Sequence, residues 1–386
     1  MNDSDALLPA LLIYPPFEER FQPSARRWQG VPSVEVTRQG RMYCAFYGGT
    51  EVEASGNYIL LLRREQSGDP FVPAAALMHP GAGCRVFDPC LWLDPAGQLR
   101  MFWTQSCGFN DGRLGIWSAV CADPDADEPL FSQPFRISDG VMLNKPVILS
   151  DGRWLLPAAL WQESCRRGKE AEQDSLNRLA ESTSSLTNSE KTSFVLESRD
   201  EGHSFELIGR ADIPQRSFDE PMLFECGDGS LRMLVRTSYG VGESQSHDGG
   251  YTWSTGRPSL LPGADSRFFV RRLNSGRLLF ISHDPAPSRH GLRSLFFPHQ
   301  ATQAERRSRL CSWLSGDDGK TWSGRLMLDE RKGVSYPDAK ETPDGVIHCV
   351  YDHCRTESGE ILLAEFTEED IFKGRRPEIQ VISRLP

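Results

Sequence analysis

Short apolar runs alternate with polar turns along this chain, and one such pattern recurs six times. In each copy an apolar run leads into a polar turn, and a second apolar run begins within two residues of a glycine in that turn. The six turn glycines are Gly40, Gly97, Gly152, Gly229, Gly276 and Gly345. A tight turn between two apolar runs is typical of a β-hairpin. Six hairpins at a period of roughly 50–60 residues predict four-stranded sheets around an axis. We therefore predict an all-β fold, a six-bladed β-propeller in which residues 1–386 form a single domain.

A second, shorter repeat has the form Ser-x-Asp-x-Gly-x-x-aromatic. It occurs in full at residues 198–205, 246–253 and 315–322, and in a weaker form at 63–71. The aspartate can accept N–H bonds within its own loop, and the glycine permits a positive φ. Three full copies in one chain indicate a repeated turn rather than chance composition.

Two polar insertions lengthen the spacing between hairpins. Residues 164–192 contain no strand pattern, and we predict a surface loop with at most one short helix. Residues 285–309 are less polar, and their "SLFFPH" segment could pack against the body or cover a site.

Polar residues stand just before, or early in, the first strand of each predicted hairpin. The innermost strands of a propeller converge on its axis, so these residues are expected to meet at one mouth. The alternative is that each of them is a solvated loop residue. The set comprises Trp28, Gln29, Arg85, Asp88, Asn144, Lys145, Asp219, Glu220, Arg267, Tyr336 and Asp338.

Composition and charge narrow the class of protein. Hydrophobic residues make up 39% and charged residues 25%, which is ordinary for a globular protein. The net charge of −10 argues against non-specific nucleic-acid binding, and an anionic substrate would need a local arginine cluster. The chain has no apolar stretch that could span a membrane. Its first twenty residues carry acids where a signal peptide needs positive charge, so we expect a cytoplasmic protein.

The ten cysteines show no CxxC spacing, and without a secretion signal we expect reduced, buried thiols. The histidines are not spaced as metal ligands, so we expect no metal. We also expect no cofactor.

The three Ser-x-Asp-x-Gly-x-x-aromatic turns have the form called an Asp box. Three Asp-box turns on a six-bladed propeller resemble the sialidase (neuraminidase) superfamily of BNR-repeat proteins, over about residues 29–365. The resemblance implies a tyrosine nucleophile, and "GVSYPDAKE" places Tyr336 at that position. It also implies a glutamate that polarises this tyrosine, which is Glu220 in "FDEPMLFE". The acid/base is expected in the loop of the first blade, at Glu53 or, failing that, Glu51.

The same resemblance implies three arginines that bind a substrate carboxylate. Arg236 and Arg307 match two of them, with Arg306 and Arg309 as close competitors for the second. The first arginine of the family stands in an Arg-Ile-Pro motif, but here the motif is "QGVPSV" and Gly30 occupies the place of the arginine. Either Arg85 or Arg267 is a candidate substitute.

The implied function is an exo-acting glycoside hydrolase that cleaves a terminal sialic acid or a related sugar. The anomeric carbon of a sialoside carries a carboxylate, which would repel an anionic attacker. A neutral tyrosine that loses its proton to a glutamate during attack avoids that repulsion. Because one arginine is missing, two alternatives stay open. One is a propeller that binds glycans without cleaving them, and the other is a glycosidase, lyase or transferase of the same fold that acts on another sugar.

Overall fold

Six antiparallel sheets follow one another along the chain in the computed structural model, which describes residues 7–49, 52–107, 114–161, 192–284 and 306–386. Five sheets consist of four consecutive strands, and the first has an additional N-terminal strand at its outer edge. The arrangement is a six-bladed β-propeller, so the predicted fold is confirmed.

The strands of blades one to three are β1 (Leu11–Ile13), β2 (Trp28–Val36), β3 (Met42–Gly49), β4 (Tyr58–Arg64), β5 (Val72–Met78), β6 (Cys84–Leu93), β7 (Leu99–Cys107), β8 (Gly115–Cys121), β9 (Phe135–Asp139), β10 (Val147–Ile148), β11 (Trp154–Ala159), β12 (Ser193–Ser198) and β13 (Glu206–Ala211). Those of blades four to six are β14 (Met222–Glu225), β15 (Leu231–Thr237), β16 (Gly240–Ser246), β17 (Arg257–Pro258), β18 (Phe269–Arg272), β19 (Leu278–His283), β20 (Ser308–Ser315), β21 (Ser323–Lys332), β22 (Val334–Glu341), β23 (Ile347–His353), β24 (Glu360–Phe366) and β25 (Ile379–Ser383). One short helix, α1 (Glu368–Lys373), begins with a capping box at Thr367 and ends at Gly374 in the left-handed conformation.

The six predicted hairpins are the turns between the first and second strands of the six blades. Their glycines all adopt positive φ, between 79° at Gly229 and 94° at Gly40. Glycine is the residue that adopts this conformation without steric cost. The local turn chemistry thus explains why the six hairpins could be read from the sequence.

The Asp-box turns join the third strand to the fourth in blades three, four and five. In the turn after β16, Asp248 Oδ1 accepts the backbone N–H groups of Tyr251 and Thr252 at 3.1 and 2.9 Å. Ser246 Oγ accepts the N–H of Gly250 at 2.9 Å, and the Trp253 indole donates back to the Gly250 carbonyl. Hydrogen bonds to the carboxylate lower the pKa of Asp248 to about 2. The weaker copy at 63–71 forms the corresponding turn of blade one.

The ring closes between blades one and six through buried carboxylates. Asp338 Oδ2 on β22 accepts the N–H of Val34 at 2.9 Å and the hydroxyl of Ser33 at 2.7 Å. Asp352 Oδ2 on β23 accepts the N–H of Val31 at 2.8 Å. The C-terminal strand β25 stays in its own blade, so these side chains connect the first blade to the last.

A buried polar network extends from Asp338 across the innermost strands. Lys145 Nζ donates to the carbonyls of Val34 and Leu91 at 2.6 Å and lies 3.1 Å from Asp338. Arg267 is held by Asn144 Oδ1 at 2.7 Å, by two backbone carbonyls and by Asp338 at 3.4 Å.

This network corrects part of the predicted substrate site. Lys145, Asn144, Arg267 and Asp338 were expected at the mouth of the pocket, but their polar groups are bonded to carbonyls and side chains of the neighbouring inner strands. We therefore assign them to the attachment of the inner strands rather than to substrate contact.

The expectation that all cysteines are thiols is wrong at one pair. Cys84 and Cys107 stand opposite each other in the ladder of β6 and β7 and form a disulfide. The antiparallel register puts them face to face, which no CxxC spacing signals. The other seven described cysteines are free.

Most of the two insertions lies outside the described residues, although the end of the second is seen. Ser308 and Arg309 belong to β20, so the strand begins two residues earlier than predicted. Within the described ranges, no helix is long and apolar enough to cross a membrane. The same part of the chain contains no group of three or more His, Cys, Asp or Glu side chains that could hold a metal ion.

Candidate functional site

Strand ends from every blade meet at one face of the propeller, and their side chains lie close together there. In an antiparallel blade, the start of the first strand, the end of the second and the start of the third lie at one edge. Tyr336 is the third residue of β22, Arg236 is the last but one of β15, and Arg307 directly precedes β20. These three positions therefore meet at one face. The Asp-box turns, which follow the third strands, lie at the opposite face.

A β-bulge interrupts the pairing of three inner strands with their neighbours. The ladders of β2, β6 and β22 shift register at Val31, Asp88 and Tyr336, whose φ values are 55°, 52° and 56°. A proline follows each of them. Since proline has no N–H and non-glycine residues rarely adopt positive φ, the strand leaves its regular pairing there. Such strained positions are concentrated at functional sites.

Tyr336 and Glu220, the two residues paired in the sequence analysis, are in direct contact. The Tyr336 hydroxyl donates to Glu220 Oε1 at 2.8 Å. Arg236 Nη1 donates to the Tyr336 hydroxyl oxygen at 2.9 Å and to Glu220 Oε1 at 3.0 Å. The other carboxylate oxygen, Glu220 Oε2, is buried and has no hydrogen-bond partner among the described residues. The carboxylate can therefore accept the phenolic proton.

The tyrosine is surrounded by guanidinium groups. The Arg355 guanidinium carbon lies 4.1 Å from the centre of the Tyr336 ring, and that of Arg307 lies 5.4 Å from it. Burial raises the pKa of Tyr336 to about 12, while Arg236, Arg307 and Arg355 oppose that rise. Tyr336 is therefore neutral at rest, and the three cations would stabilise its phenolate.

Arg307 is the arginine of its segment that reaches the tyrosine. It donates to the backbone carbonyl of Asp265 at 3.2 Å, and in the described ranges no carboxylate lies within 4 Å of it. Burial lowers its pKa. Arg309 instead donates to the carbonyl of Asp284 at 3.0 Å and lies 3.9 Å from the carboxylate of the same residue. A buried cation without a carboxylate partner is suited to an anionic ligand.

Glu53 lies at the same face but contacts a residue that the sequence reasoning missed. Its Oε1 is 3.3 Å from Nη1 of Arg355, which follows β23 by two residues. Arg355 also pairs with Asp352 at 2.8 Å. The chain contains no motif that marks Arg355, because it occupies a different strand end from the arginines of the resembling family. The alternative acid, Glu51, is outside the described residues.

Asp88 and Arg85 belong to β6 and lie near Glu53. Burial, together with the charges of Glu53 and Glu220, raises the pKa of Asp88 to about 7, and Arg85 and Arg355 oppose this rise. The guanidinium of Arg85 is stacked 3.7 Å from the centre of the Phe87 ring. Asp88 is thus a second carboxyl group at this face that can exchange a proton near neutral pH.

Two further predicted residues, Asp219 and Gln29, are bound by groups other than the tyrosine. Asp219 is bound by the Ser193 hydroxyl and by Arg216, and Gln29 is bound by Arg26 and the Gly359 carbonyl.

Aromatic side chains lie beside the arginines of the site. Phe218 lies 5.4 Å from the Arg236 guanidinium and packs edge-on against Trp161. Trp28 lies on the other side, 5.8 Å from the Arg355 guanidinium. These rings give the site apolar walls.

The sequence model of the family described as "BNR repeat-like domain" matches residues 40–349. The chain belongs to the BNR repeat-like domain family. No curated protein sequence matches it. The resemblance of this BNR-repeat propeller to the sialidase superfamily is confirmed for fold and repeat type.

Solved structures of very different sequence share the fold of this BNR-repeat propeller. The intramolecular trans-sialidase from Ruminococcus gnavus, in complex with oseltamivir carboxylate, has a TM-score of 0.62 and 13% identity, over 94% of this chain and 98% of that one. The NanB sialidase from Streptococcus pneumoniae has a TM-score of 0.59 and 11% identity, over 92% and 71%. A Dyadobacter fermentans protein of unknown function has a TM-score of 0.60 and 15% identity, over 90% and 94%. At such identities the likeness shows the fold alone, and the activity must be argued from the site.

Proposed function

We propose that this protein is an exo-acting glycoside hydrolase that releases a terminal sialic acid or a related sugar. The observation that carries the proposal is the 2.8 Å hydrogen bond between the Tyr336 hydroxyl and Glu220, with Arg236 bonded to both. A module that only binds glycans has no need for a buried tyrosine paired with a carboxylate. An enzyme that uses tyrosine as its nucleophile requires that pair.

In the first step Tyr336 Oη attacks the anomeric carbon as the bond to the leaving oxygen breaks. Glu220 accepts the phenolic proton, and Glu53 donates a proton to the leaving oxygen. The product is a glycosyl-tyrosine intermediate. In the second step water attacks the anomeric carbon and gives a proton to Glu53, and the departing phenolate recovers its proton from Glu220.

The protein environment supports this division of roles. At a pKa of about 12 the phenol cannot ionise alone at neutral pH, so attack depends on a hydrogen-bonded base. Arg236, Arg307 and Arg355 are in place before the phenolate develops, which is the arrangement that stabilises a charge without reorganisation. The Glu53 side chain is 17% exposed, so it has access to water at the mouth of the site.

Asp88 is the competing candidate for the acid/base. Its pKa of about 7 suits general acid catalysis at neutral pH, and the charges of Glu53 and Glu220 act on its carboxyl group. Glu53 is retained as the first choice because it lies in the loop that matches the resembling family. The leaving-group experiment described in the Discussion separates the two.

The test is a screen of aryl glycosides that covers sialic acid, other ulosonic acids, uronic acids and deoxy sugars. For any substrate that is cleaved, Tyr336→Phe should lower turnover by several orders of magnitude while the protein stays folded. Glu220→Gln should have a similar effect. The double variant should be little worse than either single variant, because residues that act as one device are strongly non-additive.

Tyr351→Phe is the matched control. Tyr351 is also a buried tyrosine that donates to a carboxylate, Asp329 at 3.0 Å, but it lies in the core of blade six. It should change stability and leave turnover close to wild type. A folded Tyr336→Phe protein with near wild-type turnover contradicts the mechanism. If nothing in the screen is cleaved, the glycan-binding alternative is favoured.

A further inference from the structure

We infer that Arg355 is a specificity-determining residue of this site and takes over the carboxylate contact of the arginine that the chain lacks at Gly30. The inference rests on the proposed function, because it concerns the substrate of the same site. It assigns the role to a residue at the end of a second strand in blade six, whereas the family motif places its arginine in the first strand of blade one.

The space at Gly30 is filled by Arg355. A Cβ added at Gly30 would lie 2.8 Å from Cδ and 2.9 Å from Nε of Arg355, closer than side chains approach. Gly30 does not have a positive φ, so its backbone conformation does not require glycine. The glycine is therefore explained by close approach, and what approaches is an arginine.

Buried groups hold Arg355 in this position. Asp352, which is fully buried, accepts from Arg355 Nε at 2.8 Å and from the Val31 N–H at 2.8 Å. Ser335 Oγ lies 3.3 Å from Arg355 Nη2. These contacts hold Nε and Nη2, while Nη1, at the outer edge of the guanidinium, lies 3.3 Å from Glu53 at the mouth of the site. An arginine fixed in this way loses little entropy when it binds a carboxylate.

The outer edge lies where a substrate carboxylate would be expected. Arg355 is 4.1 Å from the ring of Tyr336, and Arg307 approaches the same ring at 5.4 Å. Arg307 has no carboxylate within 4 Å in the described part of the chain. Arg267, one of the two substitutes expected from the sequence, is fully buried and bonded to carbonyls, Asn144 and Asp338, so it cannot make this contact. A carboxylate beside the tyrosine would lie between Arg355 and Arg307.

The experiment measures binding of a pair of ligands by calorimetry: the 2,3-didehydro derivative of N-acetylneuraminic acid and its methyl ester. The wild type should prefer the acid. Arg355→Ala should lower the affinity for the acid by about 10- to 100-fold, the range for a charge-assisted hydrogen bond. Its affinity for the ester should change by less than about twofold. Arg355→Lys should recover part of the loss, and Arg257→Ala, at an exposed arginine of blade four, should have no effect.

Two variants at Gly30 make the test specific. Gly30→Ala keeps Arg355 but displaces it, so it should also weaken the acid. The double variant Gly30→Arg with Arg355→Ala returns the arginine to the motif position and should restore binding. Unchanged acid affinity in Arg355→Ala, an equal loss for acid and ester, or a wild type that does not prefer the acid each overturns the inference.

Failure of the inference can be told apart from failure of the proposed function. If the wild type binds the acid through Arg355 but cleaves no aryl glycoside, the inference holds and the hydrolase proposal fails. If the wild type cleaves a neutral aryl glycoside through Tyr336 and does not bind the acid, the hydrolase proposal holds and the inference fails.

Discussion

Asp338→Asn tests whether the buried polar network around Asp338 is structural. Asp338 is fully buried and accepts hydrogen bonds from the Ser33 hydroxyl at 2.7 Å and the Val34 N–H at 2.9 Å. It is also the counter-charge of Lys145 at 3.1 Å and Arg267 at 3.4 Å. Asparagine has nearly the same shape, but it removes the charge and replaces one acceptor oxygen by a donor. Two buried cations then lose their shared carboxylate.

The expected loss is large. Breaking a buried ion pair by removing one partner costs roughly 3–5 kcal/mol, because the remaining charge stays buried. Lys145 keeps Glu35 at 3.6 Å, which favours the lower part of that range. With a urea slope of about 3 kcal/mol per M, the unfolding midpoint should fall by about 1 M. Tryptophan fluorescence during urea unfolding measures this shift.

Asp344→Asn is the matched control, since Asp344 lies in the exposed turn between β22 and β23 and accepts from the Thr342 hydroxyl at 2.6 Å. Its free energy of unfolding should change by less than about 0.5 kcal/mol. A change below about 1 kcal/mol in Asp338→Asn would refute the structural assignment. If that variant stayed stable and lost affinity for the didehydro acid, Asp338 would be a ligand contact, as the sequence first suggested.

Three other predictions concern pH, thiols and the acid/base. Burial lowers the pKa of His283 to about 4, so its contribution to the free energy of unfolding should be fully present above pH 6.5 and fall by about 3 kcal/mol as the pH drops towards 4. In His283→Asn the urea midpoint should depend less on pH than in the wild type. An equal pH dependence in the two proteins would contradict this prediction. Thiol titration of the denatured protein should find two fewer groups before reduction than after it, and equal counts would exclude the Cys84–Cys107 disulfide. Glu53→Gln should lose activity on substrates with poor leaving groups and retain it on activated aryl glycosides, and the same pattern in Asp88→Asn alone would move the acid/base to Asp88.

Local chemistry is what made much of the fold predictable. The hairpins and the Asp-box turns depend on glycine conformations and on hydrogen bonds within a few residues, so each leaves its pattern in consecutive residues. Tyr336 and Glu220 could likewise be selected from the sequence, because each is followed by proline at the start of an inner strand and matches a family motif. Their 2.8 Å contact joins blades four and six.

What only the tertiary structure decided is the direction of the other polar side chains. Lys145 and Arg267 carry the same charge as Arg236, yet the packing of the inner strands surrounds them with carbonyls and Asp338. Arg355 reaches Tyr336 because an opening at Gly30, 325 positions earlier in the chain, accepts its side chain. The disulfide depends on the register of two strands. Such contacts are set by the packing of one blade against another, and no short stretch of sequence carries that information.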